Sequence, residues 1–249
     1  MAYTLEGLQA ALSPRLVRYL PEVGSTNDIA LGWLRQGAPE GAVVVADVQS
    51  LGRGRLGRRW HAPAGTALTA SIVLKPARAA LGRLTMVGAV AIAETIEGLG
   101  ATNVDIKWPN DVRLNGRKVC GILPEAAWEG DVLVGAALGM GLNVRVDFAG
   151  SELADRAISL EPALGHRLDR VELLARLLAR VDDWQARAGS QDLFEAWKQR
   201  LSTIGQTVTV SGVSVGGVAE GVDDQGALLV RTESGDVQRV IAGDIQLGE

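Results

Sequence analysis

Cysteine is nearly absent from this sequence of 249 residues: there is one, Cys120. A lone thiol excludes an internal disulfide and fits a reducing compartment. Histidine is scarce as well, limited to His61 and His166. No Cys/His cluster therefore exists to hold a structural transition metal. Aromatic residues make up only 4% of the chain. Excess positive charge is missing too. The 25 Lys and Arg stand against 29 Asp and Glu, for a net charge of -4. A general nucleic-acid binder is normally basic, so that class is disfavoured. Met1 to Pro21 lacks the apolar core of about 7–15 residues that marks a signal peptide. The uncharged run from Val132 to Val144 is too short to span a bilayer and is broken by glycine. The expectation is a soluble, cytoplasmic protein with no membrane partner.

What is present is a good deal of apolar material. Hydrophobic residues reach 47%, enough for a sizeable core. The length suits one large domain, or a large one followed by a small one. Ser25-Thr26-Asn27-Asp28 reads as a helix start, followed by Ile29, Ala30, Trp33 and Leu34 at helical spacing. Val43 to Ala46 reads as a buried strand, and the alternation from Leu68 to Leu74 as a second. A helix is expected over Arg83 to Leu99 and a short strand over Val104 to Lys107. Asn115-Gly116, between Val112–Leu114 and Lys118–Leu123, is a strong hairpin signal. Val132 to Leu138 reads as a further strand. Val171 to Ala188 and Asp192 to Leu201 read as helices. Beyond about Ile204 the texture changes. Short strands are expected at Thr207–Val210, Gly217–Val222, Leu228–Arg231 and Val237–Ile241, the pattern of a small β-barrel. The expected domains are 1–203 and 204–249.

The most informative stretch is Gly52-Arg53-Gly54-Arg55-Leu56-Gly57-Arg58-Arg59-Trp60. Glycines let a backbone fold tightly round a ligand, and arginines bring a planar, permanently charged fork suited to phosphate or carboxylate. Alone, such a run reads equally as a solvated basic loop. It keeps company with Gly24-Ser25-Thr26-Asn27, with Lys107-Trp108-Pro109-Asn110-Asp111, with Lys118 through Glu125, and with Gly139-Met140-Gly141-Leu142-Asn143. Each segment has an ordinary reading as well: a helix cap, a Pro-Asn-Asp turn, an exposed hairpin lysine, a strand-end turn.

In this order and at these spacings, the five segments resemble the biotin protein ligases over roughly residues 20 to 249. The resemblance implies an α/β fold, a mixed-sheet catalytic domain of the biotin/lipoate ligase type, followed by a small SH3-like β-barrel. It implies activation of biotin by ATP to biotinoyl-AMP, then transfer to a lysine of a biotin carboxyl carrier protein. The residues matching its biotin contacts are Ser25, Thr26, Asn27, Gln49, Arg53, Gly54, Arg55, Lys118 and Gly121. Those matching its ATP or adenylate contacts are Trp60, Trp108, Asn110, Asp111, Lys118 and Asn143. Lys118, Arg53 and Arg55 are the catalytic candidates, with Arg58 and Arg59 peripheral. Asp111 is the candidate contact for Mg²⁺.

Cys120 departs from the family pattern, where a small apolar residue is expected, and is read as a small hydrophobe. Too few residues precede the first segment for the helix-turn-helix module of regulatory members, so no specific DNA binding is expected. A lipoate or octanoate ligase of the same fold and a non-catalytic ligand- or nucleic-acid-binding module are the alternatives. A homodimer is compatible with the sequence, which does not decide oligomeric state. The arginine loop, residues 51–59, is expected to be mobile until an anionic ligand arrives.

Overall fold

The computed structural model describes residues 3–212 and 215–247. Residues 1, 2, 213, 214, 248 and 249 of the two expected domains lie outside the described residues. In chain order the first domain begins with α1 (Leu5–Leu12), β1 (Val17–Val23), α2 (Thr26–Arg35), β2 (Val43–Gln49) and β3 (Ala67–Leu74). It continues through α3 (Leu84–Glu97), β4 (Val104–Lys107), β5 (Asp111–Leu114), β6 (Arg117–Glu129) and β7 (Val132–Asn143). Three helices complete it: α4 (Leu160–Leu164), α5 (Arg170–Gln185) and α6 (Gln191–Lys198). The second domain holds β8 (Thr207–Ser211), β9 (Val215–Val222), β10 (Leu228–Arg231), β11 (Val237–Val240) and β12 (Asp244–Leu247).

Seven strands form one sheet in the order β1-β2-β3-β7-β6-β5-β4. The β1/β2 pair is parallel and the remaining pairs are antiparallel, so the sheet is mixed. The apolar run of β2 and the wholly buried β3 are central strands of the sheet. One face carries Val43, Val45, Leu68, Ala70, Ile72, Leu138 and Leu142 and packs into the main core with α3 and α5. The helix α3 has no single apolar stripe because nearly all of it is enclosed. By length and composition the segment Arg78–Glu97 is apolar enough to cross a membrane, but most of it is buried inside the fold. On the opposite face α2 covers Val44, Val73, Ala127 and Ala137 and leaves the rest of that face open. The site lies in this uncovered half.

The expected hairpin forms, with Asn115 at φ 52° and Gly116 at φ 75°, the left-handed pair that a tight turn needs. Its second strand runs on to Glu129, and β7 begins at Val132 rather than ending early, so β6 and β7 are longer than their sequence signals. The sequence reading lacks α1, β1, α4 and β12. These elements are short, and β1 shows no clean alternation of burial. The second domain is a five-stranded antiparallel sheet in the order β11-β10-β9-β8-β12, an SH3-like arrangement. Its core residues Val208, Val210, Ala219 and Leu228 belong to the same hydrophobic cluster as α3 and β4.

Candidate active site

Strand register builds the floor of the site. Antiparallel neighbours place directly opposed residues on the same face. One row crosses the sheet as Ala46, Thr69, Gly141, Gly121, Asp111 and Lys107. The next row runs Val44, Ser71, Gly139 and Leu123. A cavity of about 590 Å³ stands on these rows. Every site residue expected from the sequence lines it: Ser25, Thr26, Asn27, Gln49, Arg53, Gly54, Arg55, Trp60, Trp108, Asn110, Asp111, Lys118, Gly121 and Asn143. A larger groove of about 1240 Å³, bordered by Arg15, Lys75 and Asp182, contains none of them.

The glycines in these rows are there for room. A β-carbon on Gly141 would lie 2.6 Å from the indole of Trp60, and one on Gly139 would lie 2.4 Å from Asn27 Oδ1. Trp60 therefore lies against bare backbone as a wall of the cavity. Its indole nitrogen is buried and has no hydrogen-bond partner among the described residues.

One end of the cavity is neutral and polar. Ser25 holds the N-cap position of α2 by its backbone, but its side chain makes no capping hydrogen bond. The helix-cap reading holds for the position of Ser25, while Gln49 Oε1 takes the Thr26 N–H at 2.7 Å and the Thr26 hydroxyl at 2.9 Å. The buried Ser71 hydroxyl bonds Thr26 Oγ1 at 2.7 Å and donates to Asn27 Oδ1 at 2.6 Å. Asn27 Nδ2 donates to Glu125 Oε2 at 2.5 Å. Sequence reasoning missed Ser71, and it placed Glu125 only at the end of the Lys118–Glu125 segment, without a role. Ser71 sits within an apolar-looking strand, and only the register brings it beneath α2.

The other end is charged. Lys118 Nζ lies 2.6 Å from Asp111 Oδ1. A β-bulge makes this possible: Val112 pairs with Cys120 but Arg113 with Lys118, so Val119 is an extra residue. Simple alternation from Gly121 would turn Lys118 to the opposite face. The bulge brings it round, while Val119 and Cys120 are both fully buried. The backbone of Lys118 is fixed by Arg156 and Ile158, and Asn143 donates to the carbonyls of Lys118 and Ile158 at 3.4 and 3.2 Å. Asn143 is nearly buried, and its amide group braces the lysine strand. Lys107 is half-buried at the end of the row; burial lowers its pKa, and Asp111 opposes that shift. Burial pushes the Cys120 thiol well up, which makes it inert.

Trp108 and Asn110 border the cavity but are also committed to the scaffold. The Trp108 indole donates to the Gly226 carbonyl at 2.9 Å, and Asn110 Nδ2 donates to the Ile122 carbonyl at 2.8 Å. Above them the arginine loop forms a strap. Arg53 pairs with Asp28 at 2.5 Å and with Glu125 at 3.2 Å, and the backbones of Arg53 and Arg59 pair in a single antiparallel β-bridge. The Arg53 hydrogen bond holds the Asp28 carboxyl below its ordinary range. Arg55 is half-buried, which lowers its pKa, and it points toward the second domain. In this structure the loop is tied by acidic partners, Asp28 and Glu125 on Arg53 and Asp244 on Arg58.

The fold and cavity define an α/β ligand-binding domain with its site on the open face of a mixed sheet, closed on one side by a β-domain. Residues 19–143 match the family model of the biotin/lipoate A/B protein ligase family, and residues 203–248 match that of the biotin protein ligase C-terminal domain. A biotin–[acetyl-CoA-carboxylase] ligase of Paracoccus denitrificans is 37% identical over 229 residues, covering 87% of this chain and 94% of that protein. A bifunctional ligase/repressor BirA of Bacillus subtilis is 34% identical over 253 residues, covering 97% of this chain and 77% of that protein. The structure of a biotin protein ligase from Aquifex aeolicus in complex with biotin and ATP matches with a TM-score of 0.78 and 28% identity, covering 94% and 98% of the two chains. The chain belongs to the biotin protein ligase family, and it is a ligase.

Proposed function

We propose that this protein activates biotin with ATP and transfers it to a lysine of a biotin carboxyl carrier domain. The cavity's polarity carries this reading. Its neutral end, formed by Ser25, Thr26, Gln49 and Ser71, offers both donors and acceptors, as a ureido ring with one carbonyl and two N–H groups requires. Its charged end holds Lys118, Arg55 and Lys107, which suits a carboxylate and a triphosphate brought together. In the first step a biotin carboxylate oxygen attacks the α-phosphorus of ATP. The bond to the bridging oxygen breaks and pyrophosphate leaves. Lys118 turns from Asp111 toward the α-phosphate, where negative charge builds. Arg53 and Arg55 close the loop over the anhydride and keep water out. In the second step the neutral amine of the acceptor lysine attacks the acyl carbon. The bond to the AMP oxygen breaks, AMP leaves, and the amine proton passes to solvent.

Mg²⁺ fits the site only as a companion of the nucleotide. No cluster of three metal-ligating side chains occurs among the described residues, and Asp111 is a carboxylate at the charged end, beside Lys118. Mg²⁺ is characteristically held by phosphate oxygens plus one or two carboxylates. Asp111 would hold it, and the metal would neutralise charge on the phosphates. Calorimetric titration of the nucleotide-free protein is therefore expected to show no tight Mg²⁺ binding.

Exchange of labelled pyrophosphate into ATP tests the whole reading. Exchange dependent on biotin is expected. Exchange with octanoate or lipoate alone would assign the alternative ligase, and no exchange with any acid would overturn ligation.

A further inference from the structure

The second domain contributes to the cavity wall through Ser211, Asp244, Ile245 and Gln246. Two contacts run from it to the arginine loop. The Arg58 guanidinium forms an ion pair with Asp244, and Arg55 Nη1 donates to the Gly243 carbonyl at 3.3 Å. The two partners of the ion pair differ in how they are held. The Asp244 side chain is 27% exposed and starts β12, whereas the Arg58 side chain is 65% exposed on the loop. The corner itself is tight. Gly243 has φ +154°, and a β-carbon there would lie 2.5 Å from Val210 Cγ1 on β8. Asp244 Oδ2 is buried, so its negative charge needs a counter-charge.

At its other end the loop is tied by Arg53 to Asp28 and Glu125 of the first domain. It is therefore strapped between an acidic post on each domain. We infer that Asp244 is a positioning residue: acting through Arg58, it holds the arginine loop across the cavity mouth so that the acyl-adenylate stays bound until the acceptor lysine arrives. This rests on the ligase reading above, and it gives the second domain a part in retaining the intermediate.

The test uses the full chain with Arg58→Gln, Asp244→Asn, the two combined, and the charge swap Arg58→Asp with Asp244→Arg. Release of preformed biotinoyl-AMP is followed without acceptor, alongside labelling of a bystander protein. An ion pair of this exposure is modest in energy, so each single change is expected to speed release by roughly twofold to fivefold. The neutral double variant is expected to match the singles, because both remove one interaction. The swap should recover most of the retention, which a merely structural effect would not do. Release at the wild-type rate in both singles, or an additive double, overturns the inference. If Asp244→Asn lowers the melting temperature, Arg58→Gln decides, since its side chain lies on the exposed loop. Leu51 and Leu56 are 62% and 65% exposed, so chymotryptic cutting there reports loop opening with no ligand present. If the wild type makes no adenylate, the ligase reading fails, while faster cutting in the variants still supports the strap and unchanged cutting refutes it.

Discussion

Lys118 reaches the site because β6 carries one residue more than β5 at the bulge. Its partner Asp111 and its place at the charged end make it, on the proposed reading, the residue on which adenylate formation is expected to depend most. Lys118→Ala is expected to lower single-turnover formation of biotinoyl-AMP by roughly 10²–10³, the scale of losing one preorganised cation or donor. The pair is partly solvated, at 35% and 26% side-chain exposure. Stability should therefore change by less than about 1 kcal/mol in a urea melt. A formation rate like that of wild type would remove Lys118 from the mechanism. Gly141 is the second informative residue. A methyl group there meets the Trp60 ring, so Gly141→Ala is expected to cost about 1–3 kcal/mol by overpacking and to shift tryptophan fluorescence. Weaker biotin binding should accompany the displaced wall, and calorimetry measures it.

At the scale of elements, the arginine loop and α4 behave differently toward pH and substitution. Arg55 is the loop's half-buried cation, and its Gly243 contact ties it to the β-domain. Arg55→Gly is expected to raise bystander labelling more than it slows adenylate formation, because a longer flexible stretch seals the anhydride poorly. Labelling no higher than wild type would count against the loop as a seal. The Arg145 guanidinium, hydrogen-bonded to Glu161 of α4, holds that carboxyl at about 2, below its ordinary 4.5. Arg145 also donates to the Gly65 and Leu168 carbonyls, so the pair ties the segment before β3 to the entry of α5. A depressed carboxylate stabilises the fold fully above about pH 4.5 and loses that contribution as pH falls toward 2. Glu161→Gln is expected to cost about 1–3 kcal/mol at neutral pH, with the gap to wild type narrowing below about pH 4. Urea melts across that range check the sign. A gap that widens in acid would assign the stability elsewhere.

The whole molecule is divided in architecture but continuous in packing. Trp108 of the first domain donates to Gly226 of the second, Arg83 donates to the Asp224 carbonyl at 3.1 Å, and one hydrophobic cluster contains residues of both. Thermal unfolding is therefore expected as one transition, with far-UV circular dichroism and tryptophan fluorescence coincident. Trp108→Phe leaves the Gly226 carbonyl without its donor and is expected to cost about 1–3 kcal/mol. Two separate transitions in the wild type would show that the domains unfold independently.

The sequence by itself determined the chemistry available: which segments carry the glycines, arginines, lysines and amides, and in what order. It also determined the elements with strong local signals. The Asn115-Gly116 turn was legible because two left-handed residues in succession leave few alternatives. The amphipathic α5 was legible because one side of it repeats at helical spacing. Short β1, α4 and β12 were not legible, since their burial comes from neighbours distant in the chain. Only the tertiary structure decided which atoms meet. Ser71 looks like any small residue in a buried strand until register sets it beneath Thr26 and Asn27. Asp244 has no local signal at all, and it becomes a partner of Arg58 because β12 pairs back onto β8. Lys118 alternates to the wrong face until a single extra residue turns it. Sequence pattern reports local preference, whereas a site of this kind is made by register and docking, which depend on residues far apart in the chain.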